Sequence, residues 1–361
     1  MKKLFSLILS ACALLFITNN VNAQGCVAIK NNGATCMLKH PDSTSKSGWL
    51  FSTASRYFRS FRHFSGTEEN KQRLVDNTEV INHQASLDLA LTRIVNDRWS
   101  FMIDVPVLSN ARSSLYEHGR TERHTMHSFG VGDIRVAAYR WLLDPAKNIK
   151  GNIQVGLGIK LPTGDDDFKD YWYNVGPNGE KELRTVDQSI QLGDGGTGFT
   201  TELNAFYNFN HNFGMYGNLY YLINPREQNG VRTYREKVSA SLANEAICSV
   251  PDQYMFRAGF NYGFHQGLSL AAGMRLEGIP VHDLVGGSGD FRRPGYIWSV
   301  EPTATYSVKN LNFFVSVPFA VVRNRTQSVT DKERSLKENR HIQGDAAFAD
   351  YTFNGGFSVR F

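Results

Sequence analysis

After its opening segment this chain has no long apolar run. The most apolar later stretch, 311–322, is broken by Asn312, Ser316 and Pro318, whereas a helix that crosses a bilayer needs ~20 mainly apolar residues. Helical spans are therefore excluded. Charge of one sign is equally scarce. Lys and Arg number 39 against 34 Asp and Glu, a formal +5, and loss of Lys2 and Lys3 with a leader would leave +3. So small an excess implies no nucleic-acid partner. Cysteine is sparse too: of four, Cys12 lies in the opening segment, and Cys248 falls in an expected surface loop with no His and Asp constellation around it. Cys26 and Cys36, ten residues apart, are compatible with a small disulfide loop in an oxidising compartment. No pair of Cys or His has zinc-ligand spacing with a second pair to match, so neither metal nor cofactor is expected.

What the opening segment does contain is an export signal. Lys2 and Lys3 precede the apolar stretch 4–17, and Val21, Asn22 and Ala23 form a small-residue cleavage site before Gln24. The expected organisation is a cleaved signal peptide over 1–23, a periplasmic N-terminal segment over 24–47, and one unit over 48–361.

That unit is built on a period of two. Near its end, Ala347, Ala349, Tyr351, Phe353, Gly355, Phe357, Val359 and Phe361 share one face, against Asp350, Thr352, Asn354, Ser358 and Arg360 on the other. A strand with oil on one side leaves an edge of unpaired backbone that lipid does not tolerate unless the sheet closes. The same alternation recurs about twelve times, for example at Ala85, Leu87, Leu89 and Leu91 and again at Ile153, Val155, Leu157 and Ile159. Short connections such as Asn96 and Asp97 alternate with long ones such as 109–127 and 162–197. Short periplasmic turns, long outer loops and an even strand number describe an all-β, transmembrane, antiparallel up-and-down β-barrel of outer-membrane type. A soluble sandwich would not pair short and long connections so regularly. Aromatics at strand ends, namely Trp49, Tyr57, Trp99, Trp141, Tyr207, Tyr221, Trp298 and Tyr306, suit interfacial girdles. The expected partners are outer-membrane lipid and, through an aromatic Phe361 on the lipid face, the barrel assembly machinery.

With apolar residues toward lipid, the opposite parity lines the interior. It supplies Asp88, Asp104, Asp133, Arg135, Lys160, Glu202, Arg257, Arg275, Glu301, Asp350 and Arg360. Mixed charges in such a place must be paired, hydrogen-bonded or wet. A constriction is expected from the longest loop, carrying Asp165, Asp166, Asp167, Asp170 and Trp172, if it folds inward. No catalytic residues emerge. A barrel phospholipase would need a Ser and His pair, and His127 with Ser128 fails because neighbours on a strand point to opposite faces. A binding or adhesive role for the long loops, through Arg112, Arg120 and Arg123 or Arg323, Arg325 and Arg334, is the remaining alternative.

Three stretches carry a resemblance: GDIRVAAYRWLL (132–143), LGIKLPTGD (157–165) and LGDGGTGF (192–199). Together they resemble the landmarks of the MetA-pathway phenol-degradation family of outer-membrane channels. The resemblance implies a barrel that passes small solutes, hydrophobic or aromatic ones included. On physical grounds alone, Pro162 suits a strand end because it cannot donate to a ladder, and the glycines of 192–199 suit tight turns.

Overall fold

The computed structural model describes residues 47–234, 238–264 and 267–361. The expected signal peptide 1–23, all of 24–46, and the pair Cys26 and Cys36 lie outside the described residues. No described helix is long and apolar enough to cross a membrane; the chain is instead a closed antiparallel barrel of 12 strands.

In chain order the strands are β1 (Gly48–Ser65), β2 (Ile81–Ile94), β3 (Trp99–Ser114), β4 (His124–Val131 continued by Arg135–Trp141), β5 (Gly151–Lys160), β6 (Gly198–Asn208), β7 (Phe213–Ile223), β8 (Gln253–Gly263), β9 (Leu268–Ile279), β10 (Gly295–Val308), β11 (Leu311–Ser316 continued by Phe319–Asn324) and β12 (Ala346–Arg360). Each pairs with its sequence neighbours, and β1 pairs β12 from Leu50↔Arg360 to Phe64↔Ala346. Trp49 and Phe361 exchange both backbone hydrogen bonds, at 2.8 and 2.9 Å. No edge is left at this seam, as lipid requires.

Side-chain oxygens build the tight connections at one end. The Asn96 carbonyl accepts from Arg98 N and Trp99 N, both at 2.9 Å. Asn210 repeats the device with Asn212 N at 2.9 Å and Phe213 N at 2.8 Å. These are Asx turns, which settle the backbone donors of a turn locally. The other end carries the six longer connections, at 66–80, 115–123, 161–197, 224–252, 280–294 and 325–345.

The alternation places Leu87, Leu91, Phe101, Ile103, Val136, Leu157, Leu203, Met215, Phe256 and Val300 on the outer surface, all exposed. So continuous an apolar band is stable only against hydrocarbon. Several expectations need correction. Ala349 does not face lipid: register shifts between Phe58 and Arg62 set it opposite Ser60, and it is buried. Trp141 is no girdle residue; its parity matches Tyr139, so it points inward and meets the Phe206 ring edge-on at 5.9 Å. β3 and β4 reach Ser114 and His124, so the expected loop 109–127 shrinks to 115–123. Polar Asn110, Arg112 and Ser114 read as loop, yet they are buried strand residues facing a polar interior, as is Ser128. Cys248 is also buried, in a bridge with Phe291 rather than on the surface. Burial pushes its thiol up to about 12, which leaves it inert.

Candidate functional site: the barrel interior and its inward loop

Three segments far apart in sequence meet at one corner of the wall. The Lys160 ammonium, at the end of β5, lies 3.0 Å from Asp133 and also bonds Asp194. The Thr163 hydroxyl donates to Gly132 O at 3.0 Å and accepts from Ile134 N at 2.8 Å. Leu192 N and Gly193 N both donate to Asp165 O at 3.1 Å. Only glycine fits where these backbones touch, since a Cβ at Gly164 would lie 2.5 Å from Leu192 O. The landmarks 132–143, 157–165 and 192–199 therefore form a single corner. There the longest loop leaves the wall and turns into the barrel.

The part that enters is 187–192. Ile190 O accepts from the Ser128 hydroxyl and from Asn110 Nδ2, the latter at 3.4 Å. Ser189 O accepts from Gln84 Nε2 at 2.6 Å. These donors are inward residues of β2, β3 and β4. From the opposite side, Arg293 grips both Asp187 oxygens, at 2.9 and 2.7 Å, and Gln188 Nε2 donates to Ser249 O at 2.7 Å. Arg112 adds a second guanidinium 3.4 Å from Asp187 and pairs with Glu117 at 2.8 Å. Burial alone would raise the Asp187 carboxyl; the Arg112 and Arg293 guanidiniums overcome it and hold the group below the usual carboxylate range. Beneath the segment Met126, Trp172, Val186 and Ile190 form a buried apolar cluster.

The acids expected at the constriction sit elsewhere. Asp165 and Asp167 serve turns and the neighbouring ribbon, with Asp167 accepting from Thr185 at 2.5 Å and pairing Lys169 at 3.1 Å. Asp166 is half-buried against Gly195, and Asp170 accepts from His127 N at 2.7 Å. Trp172 is in the apolar cluster. Sequence reasoning missed Asp187 and Arg293, and took Arg112 as loop charge. The only local signal was Asp187 as an N-cap, its side chain accepting from Ser189 N.

Across mid-barrel lies a layer of buried charge. Arg257 and Glu301 are each 1% exposed and 2.9 Å apart. Arg275 reaches Glu301 at 3.6 Å and Glu277 at 2.7 Å, and Arg56 of β1 reaches Glu277 of β9 at 3.2 Å. Arg135 bonds Glu202, with Asp104 3.9 Å away, and the Tyr139 hydroxyl donates to Glu202 at 3.0 Å. Toward the short-turn end an amide chain follows, Asn218 to Asn204 at 3.3 Å and Asn204 to Gln154 at 3.1 Å. The Tyr216 hydroxyl rests against Gly259 and Gly273, positions where a Cβ would collide with it. Asp88 is half-buried on the inward register opposite Ala54, and Arg360 half-buried opposite Leu50. Asp350 departs from the expected set. It lies at the β12 irregularity, 39% exposed, between Arg62 at 2.7 Å and Arg323 at 2.6 Å.

Above this layer and beside the inward segment is a cavity of about 530 Å³. Arg56, Tyr220, Met255 and Thr352 form its floor, and Ser189, Tyr234 and Arg293 border it from the loops. Phe58, Tyr116, Tyr254 and Tyr296 give it aromatic walls. Rings and paired guanidiniums together make a surface for amphipathic molecules rather than bulk water alone. Ser128 is buried and committed to Ile190, while His127 is exposed, so this pair forms no nucleophile and base.

No protein-family model matches the chain, and no curated protein matches it. Solved structures do resemble it. An outer membrane channel from Pseudomonas putida F1 aligns at TM-score 0.57 and 10% identity, covering 88% of this chain and 96% of that one. The Ralstonia pickettii toluene transporter TbuX aligns at TM-score 0.42 and 10% identity, over 94% and 96%. The CymD monoaromatic hydrocarbon channel aligns at 0.42 and 9%, over 88% and 89%. At such identities the likeness is one of fold, carried by the first of the three, and the fold is that of outer-membrane barrels.

Proposed function

We propose that the chain is an outer-membrane channel for passive passage of small solutes, hydrophobic or aromatic ones included, and that it has no enzymatic role. The observation that carries this reading is the 530 Å³ cavity held between a buried charge layer and the inward segment 187–192. A solute would enter from the loops, rest against Tyr116, Tyr254 and Tyr296, and pass when the segment and the charged layer yield. In this reading Asp104, Arg135, Glu202, Arg257, Arg275 and Glu301 set the polarity of the path. Lys160 with Asp133 anchors the loop that narrows it. Likeness of fold to a Pseudomonas putida outer membrane channel supports the barrel channel, and the printed names of TbuX and CymD motivate aromatic compounds as the first solutes to try.

Reconstitution of the folded barrel in planar bilayers and in vesicles tests the proposal. Ion conductance, with uptake of toluene or a phenol into vesicles above a protein-free control, is expected. An intact barrel giving neither would overturn it. Hydrolysis of phospholipid by the pure protein would overturn the non-enzymatic part.

A further inference from the structure

The lipid-facing rim at the short-turn end is not uniform around the barrel. Over β6 to β8 it is aromatic with one methionine and, among the described residues, no cation on that face: Phe209 stacks on Phe213 at 5.3 Å and Phe213 on Phe260 at 5.7 Å, beside Tyr207, Met215 and Tyr262. Over β1 to β4 it is aromatic and basic. Trp49 of β1 stands directly opposite Arg93 of β2, and the Arg93 guanidinium lies over the Trp49 ring at 5.2 Å. Trp99 of β3 stands directly opposite Arg140 of β4, and Arg140 lies over the Trp99 ring, also at 5.2 Å. Trp99 stacks on Phe101 at 6.4 Å, and Phe101 is the cross-strand partner of Arg93. The two arginine–tryptophan pairs are thus adjacent on one outward face.

Their electrostatic setting is that of an outward arginine in this chain, shared with exposed Arg59, which lies over the Phe61 ring at 4.3 Å. The arginines of the interior are held by carboxylates, yet among the described residues neither Arg93 nor Arg140 has a carboxylate in ion-pair range. Arg98, exposed in the Asn96 turn, and Lys147 and Lys150, exposed in the β4–β5 turn, add further cations nearby. The acids near them are Asp97 and Asp144, both half-buried in those turns, and Asp144 already accepts from Ala146 N at 2.9 Å. A guanidinium laid on an indole keeps its edge free to donate in-plane, and that fork matches a phosphate. At this end of the barrel the lipid that meets the rim carries glycerophosphate headgroups.

We propose that Trp49, Arg93, Trp99 and Arg140 form a binding site for the headgroup of an anionic glycerophospholipid of the periplasmic leaflet. The indoles place the two cations at headgroup depth, the guanidinium edges bind the phosphate, and acyl chains run along Leu91, Phe101 and Val136. The site fixes one sector of the barrel against lipid and leaves the aromatic sector over β6 to β8 without a preferred lipid.

Native mass spectrometry of the full chain in detergent supplemented with phosphatidylglycerol tests this, with phosphatidylcholine as the zwitterionic comparison. The wild type should retain one phosphatidylglycerol under activation that strips phosphatidylcholine. Arg93→Gln with Arg140→Gln should lower that occupancy roughly tenfold or more, with heat-modifiable gel mobility confirming the folded barrel. Arg93→Lys with Arg140→Lys keeps the charge but loses the stacked fork, and should fall between the two. Equal retention by wild type and the double Gln variant would overturn the site. So would an equal loss on Lys147→Gln with Lys150→Gln, which would show diffuse attraction to turn charge. Should the double Gln variant fail to fold, Trp49→Phe with Trp99→Phe decides: unchanged retention overturns the proposal.

Discussion

Asp187 is one carboxylate shared by two guanidiniums, and it ties the inward segment to both sides of the barrel. Replacing it by Asn leaves buried Arg112 with Glu117 alone and half-buried Arg293 without its carboxylate; a broken, fully buried pair costs about 3–5 kcal/mol, and the exposure of Arg293 sets the loss at or below the lower end of that range. Asp187→Asn should therefore raise the frequency of conducting openings in bilayers and expose 186–192 to protease. Because its folded pKa is depressed, the contribution of Asp187 is complete above the ordinary carboxylate range and is lost only as pH falls below it. Opening by that route should thus be flat between neutral and mildly acidic pH. His118 acts in the same sense but at higher pH. It is fully buried, its Nδ1 accepts from Tyr173 N at 3.1 Å, and its ring lies 5.2 Å from that of His124. Burial first, and the neighbouring His124 second, lower it from 6.5 to about 4. The unfolded chain takes up the proton before the folded one, so stability falls as pH drops from 6.5 toward about 4. His118→Gln should flatten this part of the pH dependence, read as the urea midpoint at pH 7 against pH 5.

At the scale of elements, the corner joining β4, β5 and the longest loop shows what could be read in advance. The strands were legible because a barrel wall between oil and a polar lumen imposes period two on nearly every residue, as at Leu87, Leu89 and Leu91. The three landmarks were visible as motifs, and Pro162 and the glycines announced turns. That they meet was not legible, since contacts such as Lys160 with Asp133 and Asp194 arise only once β4, β5 and β6 are side by side. The inward segment was hidden for the same reason: nothing in the polar run around Gln188 separates a solvated loop from one that hydrogen-bonds Gln84, Asn110 and Ser128. The β12 irregularity escaped because a register shift changes parity without changing composition, which misplaced Ala349. The corner predicts its own fragility. Gly164→Ala puts a methyl 2.5 Å from Leu192 O, a backbone atom with little room to move. It should cost about 1–3 kcal/mol and release the loop without opening the barrel. Limited proteolysis should then cut within 161–197 while heat-modifiable mobility is unchanged.

For the whole molecule the decisive property is which face of the wall meets lipid. Leu89 stands opposite Thr53 and Val105 on the outward register, within an apolar belt that includes Leu87, Leu91 and Ile103. Ser86 has the other parity and faces Arg56 directly across the β1–β2 pair. A cation at Leu89 would sit in hydrocarbon with no partner in reach, at a cost of ~2–4 kcal/mol near the midplane. A carboxylate at Ser86 would instead enter the charged interior beside Arg56, where opposite charges across a strand pair gain a few tenths of a kcal/mol to ~1 kcal/mol. Arginine is the wrong probe on the inner face: at Ser86 it would oppose Arg56, and at Gln154 it would overfill a buried site already bonded to Asn204. Leu89→Arg should accordingly lower the urea midpoint of the barrel in lipid vesicles, whereas Ser86→Glu should match the wild type. The reverse ranking would turn the barrel inside out, and with it the polar interior on which passage of any solute depends.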